Sequence, residues 1–301
     1  MTKLKSLKKL AKRIVNGKAF QKKEFGTNLL DMTLRGALGI QHRRPEGHRK
    51  APVKLVLGSA DTSDEKTANP IRIYIGSEPA QHRGERILLW SILKHHNTNR
   101  YYEIYIMKDL ASFERKGWKT GFTAYRYAIP ELANFQGRAI YNDVDQIYLA
   151  DPADLLAENM SEAAVLAVES RDTSVMLIDC GRLVDIWTIS TLRAALQGRV
   201  HATMLNLLRE RSLIANLPAY WNSRDHEYDQ KTSRLLHYTT LQSQPWRPFP
   251  KELRYRETPQ SELWYTLERE ADQHSFAPLW KHEPDRSYAD MKDFYSVAHD
   301  E

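Results

Sequence analysis

Residues 137–155 read GRAIYNDVDQIYLADPADL, and this stretch decides the fold prediction. An apolar, strand-forming run ends at Tyr141, and Asp143-Val144-Asp145 follows it almost at once. Side chains at positions i and i+2 of an extended backbone point the same way, so both carboxylates face one side. Two acids at the end of a buried strand are costly to desolvate unless a cation balances their charge. The pattern therefore predicts a strand-end site for Mg²⁺ or Mn²⁺, hard ions that prefer oxygen ligands and often bridge a diphosphate.

The Asp-x-Asp triplet is a weak signal by itself, because one is expected by chance roughly once in a chain of this length and composition. The elements that follow it in the sequence strengthen it. TSVMLID at residues 173–179 is typical of a second buried strand, and His237 lies ahead of Pro245-Trp246. This order of elements resembles the pattern of glycosyltransferase family 8.

The resemblance covers about residues 70 to 250. It implies the α/β fold called GT-A, or nucleotide-diphospho-sugar transferase fold, with a mixed, mainly parallel sheet flanked by helices. It also implies a metal-dependent, retaining transfer of a hexose of the galactose or glucose type. The implied donor is a nucleotide-diphosphate sugar with UDP as the expected nucleotide, and the implied acceptor is a glycan or glycolipid hydroxyl.

Individual residues match the family's functional positions. Asp143 and Asp145 match its metal-binding acids, and His237 matches its third protein ligand, the alternative being a structural histidine in a loop. Asp172 joins the two acids as a candidate catalytic residue that would contact donor hydroxyls, and the alternative is a loop carboxylate that caps nearby amides. The donor-binding positions implied by the resemblance are Gly76, Ser77, Glu78, Arg126, Asn142, Asp143, Val144, Asp145, Thr173 and Ser174.

Other positions depart from the family's pattern. The family's Asp-Gln-Asp element corresponds here to His201-Ala202-Thr203-Met204-Leu205-Asn206, which lacks both acids and the glutamine. Gln244 stands where the family has a diphosphate-contacting lysine, and Arg247 or Lys231 is a candidate for the lost charge. One alternative is therefore a degenerate nucleotide-sugar-binding protein without efficient turnover. A nucleotidyltransferase is disfavoured because the chain lacks a glycine-rich Lys/Arg phosphate loop.

The composition of the chain and its lack of long apolar runs indicate where in the cell the protein is expected. The chain has 301 residues and 42% apolar content, enough for a sizeable core. Its apolar runs are far shorter than the roughly 20 residues that cross a bilayer, and its amino terminus lacks the apolar segment of a signal peptide. Cys180 is the single cysteine, so no intrachain disulfide can form. We therefore expect a cytoplasmic protein in which Cys180 is a buried thiol.

Positive charge is concentrated at the amino terminus. Residues 1–50 hold 14 Lys and Arg against three acids, a net charge of +11, whereas the rest of the chain carries −5. Within residues 4–15, Leu, Ile, Val and Ala recur at helical spacing among lysines, which predicts an amphipathic basic helix. Such a helix either packs on the protein surface or binds an anionic membrane at its inner face through residues 1–25. Nucleic acid is not an expected partner, because no recognition signature accompanies the charge.

The pattern divides the chain into three parts. Residues 1–69 are predicted as a basic extension and linker, with a short strand at 53–57, residues 70–250 as the GT-A domain, and residues 251–301 as a helical carboxy-terminal segment. Inside the domain, predicted strands alternate with helices, including helices near 120–128 and 181–196, and a further helix is predicted at about 259–272. Ligands of such sheets bind beyond the carboxyl ends of the strands, where Gly76 and Asp143 both fall.

Overall fold

We describe the protein from a computed structural model, which defines residues 50–57, 69–78, 81–111, 113, 122–196, 200–248, 253–276 and 296–298. The predicted basic helix at the amino terminus lies outside these ranges. Among the residues that the structure defines, no helix combines the length and apolar character needed to span a bilayer.

Eleven strands lie within the described ranges, and they form two sheets. They are β1 (Val53–Leu57), β2 (Ile71–Gly76), β3 (Tyr102–Met107), β4 (Arg138–Asp143), β5 (Gln146–Tyr148), β6 (Val165–Ala167), β7 (Val175–Asp179), β8 (Ile214–Asn216), β9 (Ser223–Arg224), β10 (Leu235–His237) and β11 (Ser296–Ala298). The larger sheet has the order β11-β1-β3-β2-β4-β7-β6-β8 and the smaller one the order β5-β10-β9.

The larger sheet is mixed, as predicted. Strands β3, β2 and β4 run parallel at its centre, and β6 and β8 are parallel at one edge. The remaining four pairs are antiparallel, so parallel pairs are fewer than the alternation of strands and helices suggests. Strands β1 and β11 belong to this sheet although they lie outside the predicted 70–250 domain.

The smaller sheet brings a distant segment to the end of β4. Strand β5 begins directly after Asp145, and β10 pairs with it in antiparallel orientation, with His237 opposite Gln146. The backbone N–H of Tyr238 donates to the carbonyl of Asp145 at 2.9 Å. This register places His237 beside the Asp-x-Asp segment although about 90 residues separate them in the sequence.

Six α-helices are described, and a buried hydrophobic core fills the space between them and the sheet. They are α1 (His82–His95), α2 (Ile129–Leu132), α3 (Pro152–Leu156), α4 (Ile189–Ala195), α5 (Val200–Arg209) and α6 (Ser261–Gln273). The last of these confirms the helix predicted at about 259–272. It packs against α1, where Arg83 makes a bidentate ion pair with Glu268 at 2.6 Å and stacks over the Trp264 ring.

Two helix predictions need correction. The part of the predicted helix 120–128 that the structure describes is a 3₁₀ turn at Tyr125–Ala128, which leads into α2. The predicted helix 181–196 is two elements, a 3₁₀ turn at Gly181–Leu183 and then α4. The break occurs because Thr188 adopts an extended backbone and caps α4 by accepting the N–H of Thr191 at 3.0 Å.

Candidate functional site

Three strand ends meet at one rim of the larger sheet. Gly76 at the end of β2 lies opposite Asp143 at the end of β4, and the N–H of Val144 donates to the carbonyl of Gly76 at 3.1 Å. Because β7 is antiparallel to β4, its beginning reaches the same rim, and the N–H of Asp143 donates to the carbonyl of Ser174 at 2.8 Å. The structure therefore brings together three segments that the sequence predicted to form a site.

Gly76 has a steric role at this rim. A Cβ at this position would collide with the Tyr141 hydroxyl and would lie 2.9 Å from the Phe122 ring. The absence of a side chain leaves room for that hydroxyl, which donates to Asp143 Oδ1 at 2.5 Å. Glycine at the end of β2 thus allows the Asp143 contacts described next.

The first acid belongs to a saturated polar cluster, which we call the Asp143 cluster: Arg126, Tyr141, Asp143 and Thr173. Arg126 Nη2 donates to Asp143 Oδ1 at 2.7 Å, and its Nη1 donates to both oxygens of Thr173 at 2.5 and 2.8 Å. The guanidinium also stacks on the Tyr141 ring, with Cζ 4.5 Å from the centroid. Arg126 is 4% exposed, so most of its hydrogen-bonding capacity serves the protein itself.

Burial dominates the electrostatics of the Asp143 cluster. It raises the pKa of Asp143 from 3.8 to about 6, because the charge of Arg126 offsets the loss of solvent only in part and Asp145 adds repulsion. A carboxylate that is this costly to ionise gains from any additional cation nearby. The cation site predicted from the Asp-x-Asp pattern stays a prediction.

The second acid faces a histidine. Asp145 Oδ1 lies 3.2 Å from His237 Nε2, and Gln244 Nε2 donates to the other oxygen, Oδ2, at 3.2 Å. Within the described part of the chain, no donor is aligned on the buried Asp145 Oδ1 as a hydrogen bond. Burial lowers the pKa of His237, but the carboxylates of Asp145 and Asp143 outweigh this effect and raise it.

A second polar network holds the far side of the His237 ring. Asn222 Oδ1 lies 2.9 Å from His237 Nδ1, and Asn222 Nδ2 donates to Asp172 Oδ2 at 3.0 Å and to Ser174 Oγ at 3.1 Å. Asp172 Oδ1 accepts the N–H of Ser174 at 3.1 Å and its hydroxyl at 2.5 Å. We call these four residues, together with Asp145, the His237 network.

Asp172 therefore contacts protein groups in the arrangement of a capping carboxylate. Burial raises its pKa, but the hydrogen bonds from Ser174, the charges of His237 and Arg224, and the Ser174 backbone N–H reverse the shift and lower the pKa overall. Arg224 Nη1 lies 3.8 Å from Asp172 Oδ2. The donor-hydroxyl role of Asp172 remains a prediction.

The remaining predicted donor positions differ in accessibility. Asn142 is fully buried and bonds inward, donating to Gln146 and accepting from Tyr148. The side chain of Val144 is buried as well.

Ser77 has a buried Oγ for which the described residues supply no hydrogen-bond partner, whereas its N–H donates to the Met107 carbonyl. Glu78 is 9% exposed, and its backbone carbonyl accepts the N–H of Gln81 at 2.8 Å.

The positions that depart from the family pattern also have defined contacts. Gln244 is buried and donates both to Asp145 and to the Tyr238 carbonyl at 3.0 Å.

Lys231 lies in the turn that precedes β10, at the opposite end of that strand from His237, which disfavours it as the compensating cation. Arg247 is half exposed and lies 3.6 Å from Glu257. His201 Nδ1 forms a hydrogen bond with the Tyr127 hydroxyl at 2.5 Å, beside the Asp143 cluster.

The donor set at the rim fits a divalent cation in its chemistry. Asp145 Oδ1 is a buried oxygen without an aligned donor, His237 Nε2 faces it, and Asp143 is held two residues away. In this arrangement, however, Asp143 Oδ1 is committed to Arg126 and Tyr141. No three His, Cys, Asp or Glu side chains among the described residues are already grouped around a single point as metal ligands.

Comparison with known proteins concerns the fold. No protein-family model matches the chain, and no curated protein matches it. Among solved structures, the glycosyltransferase GlyE of Streptococcus pneumoniae TIGR4 is similar at 15% identity, over 77% of this chain and 66% of that one, with a TM-score of 0.50. The chain has the GT-A glycosyltransferase fold.

Two further GT-A-like matches are weaker. The bifunctional glycosyltransferase WbbM matches at 13% identity over 70% of this chain and 53% of that one, with a TM-score of 0.46. The galactosyltransferase LgtC, solved with donor and acceptor sugar analogues, matches at 9% identity over 66% of this chain and 96% of that one, with a TM-score of 0.47. The chain thus spans about half to two thirds of the length of WbbM and GlyE.

Sequence reasoning missed three residues of the site. Asn222 directly follows a 3₁₀ turn at Ala219–Trp221, and nothing in the local sequence pattern indicates that it meets His237. Tyr141 reads as an apolar strand residue, although its position two before Asp143 places both side chains on one face. The contact of Gln244 with Asp145 depends on the loop after β10. The sequence indicated the position only through the family pattern, in which a diphosphate-contacting lysine stands there.

Proposed function

We propose that the chain is a glycosyltransferase that binds a nucleotide-diphosphate sugar at the rim formed by β2, β4 and β7. The observation that carries the proposal is the contact between Asp145 Oδ1 and His237 Nε2, two buried ligand atoms from distant segments, next to a second acid. A GT-A fold around this rim supplies the structural context. The finer assignment is a retaining transfer of a galactose- or glucose-type hexose from a UDP-linked donor.

The proposed cofactor is Mn²⁺ or Mg²⁺, held by Asp143, Asp145 and His237. When bound, it would supply positive charge to the departing diphosphate as the anomeric bond breaks. Asp145 and His237 already face each other, whereas Asp143 has to share its carboxylate with Arg126. Arg126 therefore has an indirect role in our proposal: it fixes Asp143 in position and joins it to Thr173, which lies just before β7.

The acceptor is proposed to be a glycan or glycolipid hydroxyl that binds beside the donor sugar. Asp172, Thr173 and Ser174 are the proposed donor-sugar contacts, and they border both the Asp143 cluster and the His237 network. Of these, Asp172 has its two carboxylate oxygens engaged by protein donors, so a sugar hydroxyl would have to share or displace one of them.

The decisive experiment measures donor binding before turnover. Calorimetry of UDP with purified protein, with and without Mn²⁺ or Mg²⁺, should show binding that depends on the ion, and a panel of UDP-sugars should then identify the donor by hydrolysis or transfer. ADP and GDP serve as matched controls for the base. Equal UDP affinity with and without the ion would reject the metal-dependent site.

A second candidate is a nucleotide-sugar-binding protein that has lost turnover. The internal hydrogen bonding of Arg126 favours it, because this side chain has little capacity left for a substrate. The substitution of Gln244 for a lysine also removes a charge from the diphosphate position. Tight, ion-dependent UDP-sugar binding without hydrolysis or transfer to any acceptor in the panel would support this candidate over the enzyme.

We further propose that residues 1–25 hold the protein at the cytoplasmic face of an anionic membrane, near its acceptor. Each lysine near such a surface contributes about 1 kcal/mol, and salt weakens the attraction. Co-sedimentation with anionic and neutral liposomes at low and high salt tests this. Binding that does not depend on lipid charge or salt would contradict this proposal and would assign these residues a packing role.

A further inference from the structure

The orientation of the Asn222 amide follows from its partners. One end of the amide faces Asp172 Oδ2 at 3.0 Å and Ser174 Oγ at 3.1 Å. A carboxylate only accepts hydrogen bonds, so this end must be the NH₂ group. The Ser174 hydroxyl gives its own proton to Asp172 Oδ1 and is therefore free to accept from Asn222. The amide oxygen, Oδ1, must then point at His237.

This orientation fixes the proton on the histidine. Asn222 Oδ1 lies 2.9 Å from His237 Nδ1, and an amide oxygen can only accept, so Nδ1 carries a proton. In the neutral ring the other nitrogen, Nε2, then has a lone pair. Nε2 lies 3.2 Å from Asp145 Oδ1.

Two acceptors that face each other at this distance repel unless a positive charge lies between them. A histidine free to rotate would relieve the repulsion by turning its ring. Here it cannot do so without breaking the bond to Asn222, which is itself 1% exposed and held on both sides.

We propose that Asn222, fixed by Asp172 and Ser174, is a positioning residue that holds His237 in the Nδ1–H tautomer and places Nε2 beside Asp145. The consequence for cation binding rests on the function proposed above, whereas the tautomer itself is a property of the protein alone. The residue acts through His237 and does not touch the donor. Partners that orient a ligating histidine in this way typically change metal affinity by 10- to 100-fold when removed.

The tautomer is measured in the metal-free protein by NMR with ¹⁵N-labelled histidine. The spectrum is recorded at a pH where the ring is neutral, and the His237 signals are assigned by their loss in His237→Gln. We expect a protonated Nδ1 and an unprotonated Nε2 in the wild type. In Asn222→Leu, which keeps the branched shape but removes the acceptor, we expect a mixture of tautomers. Asn216→Leu, at an exposed position of β8, is the matched control.

An exchange of the two residues tests the mechanism. In Asp172→Asn/Asn222→Asp, the amide introduced at position 172 can donate to the carboxylate introduced at position 222, which still accepts from His237 Nδ1. The exchange should restore the wild-type tautomer that Asn222→Leu loses. It should also restore most of the Mn²⁺ affinity, which calorimetry should show to fall 10- to 100-fold in Asn222→Leu.

The outcomes separate this inference from the proposed function. A protonated Nε2 in the wild type, or a tautomer unchanged in a folded Asn222→Leu, overturns the inference, and the wild-type spectrum suffices if that variant fails to fold. The expected tautomers together with no Mn²⁺ binding by the wild type support the inference and reject the proposed metal site. Weaker Mn²⁺ binding without a change of tautomer assigns Asn222 a merely structural role.

Discussion

The two acids of the Asp-x-Asp segment lie two residues apart and have opposite environments. The Asp143 cluster is electrostatically closed, because Arg126 and Tyr141 both donate to one carboxylate oxygen. The His237 network is open, because Asp145 Oδ1 faces a ring nitrogen and has no aligned donor within the described residues. Two acids of one short motif can therefore differ in environment: Asp143 accepts two donors on one oxygen, whereas Asp145 keeps an oxygen without an aligned donor among the described residues.

The largest expected effect is on UDP affinity, when Asp145 of the open network is changed. Asp145→Asn should reduce Mn²⁺-dependent UDP binding below detection, because the amide cannot balance the charge of the ion and turns a ligand oxygen into a weaker one. Calorimetric titration of UDP with Mn²⁺ measures this. Asp154→Asn removes an exposed acid paired with Arg234 and should bind like the wild type. Unchanged affinity in Asp145→Asn would remove this residue from the site.

For Asp143, the acid of the closed cluster, we expect a substitution to change the free energy of unfolding. Asp143 has its pKa raised to about 6 from 3.8, so its contribution to stability is fully present below pH 3.8 and is lost as the pH rises through about 6. The pKa difference corresponds to about 2–3 kcal/mol. Without added cation, Asp143→Asn should therefore be more stable than the wild type by about that amount at neutral pH.

Urea unfolding of both proteins across this pH range tests the prediction. The difference between their free energies of unfolding should grow as the pH rises from 3.8 to about 6 and should level off above that, because only the wild type ionises at this position. Saturating Mn²⁺ should then favour the wild type, since a ligand that binds the folded state stabilises it. Parallel pH profiles for the two proteins would show that Asp143 does not carry this penalty.

A smaller effect is expected from the glycine that makes room for the closed cluster. Gly76→Ala should lower the free energy of unfolding by about 1–3 kcal/mol, the usual range for overpacking, because its methyl group meets the Tyr141 hydroxyl. Adding Tyr141→Phe should recover part of this loss by removing that oxygen. The four proteins form a double-mutant cycle for thermal or urea unfolding. A coupling energy of zero would show that the clash is relieved elsewhere.

The smallest of these effects is expected at the histidine. His237→Ala should weaken Mn²⁺ binding about 10-fold or more, since it removes a neutral nitrogen ligand and leaves the acids in place. Calorimetry or electron paramagnetic resonance measures the affinity. His226→Ala changes an exposed histidine of the 3₁₀ turn at Asp225–Glu227, which precedes β10, and is the control. Equal affinities for the wild type and His237→Ala would make His237 a structural residue.

Local sequence predicted most of the regular elements because periodicity and strand-forming composition are local properties. Strands β2, β3, β4 and β7 lie within a few residues of the bounds that the sequence predicts, which are 71–75, 102–107, 138–142 and 174–179. Helices α1 and α6 do so for predicted helices at about 84–96 and 259–272. The helix predicted at 181–196 failed because Thr188 starts a new helix, and the apolar spacing on either side hides the break. The short strands of the smaller sheet were also missed, since two or three residues carry no readable period.

The sequence by itself determined that two acids end a buried strand, that a glycine ends another, and that a histidine follows far along the chain. Tertiary structure decided which acid is available. Arg126, Tyr141 and Asn222 reach the site through turns and sheet pairing, so no local pattern records that they close one carboxylate and orient the histidine toward the other. The physical reason is that burial and hydrogen-bond partners, which set the pKa of Asp143 and the proton position on His237, are properties of the assembled rim.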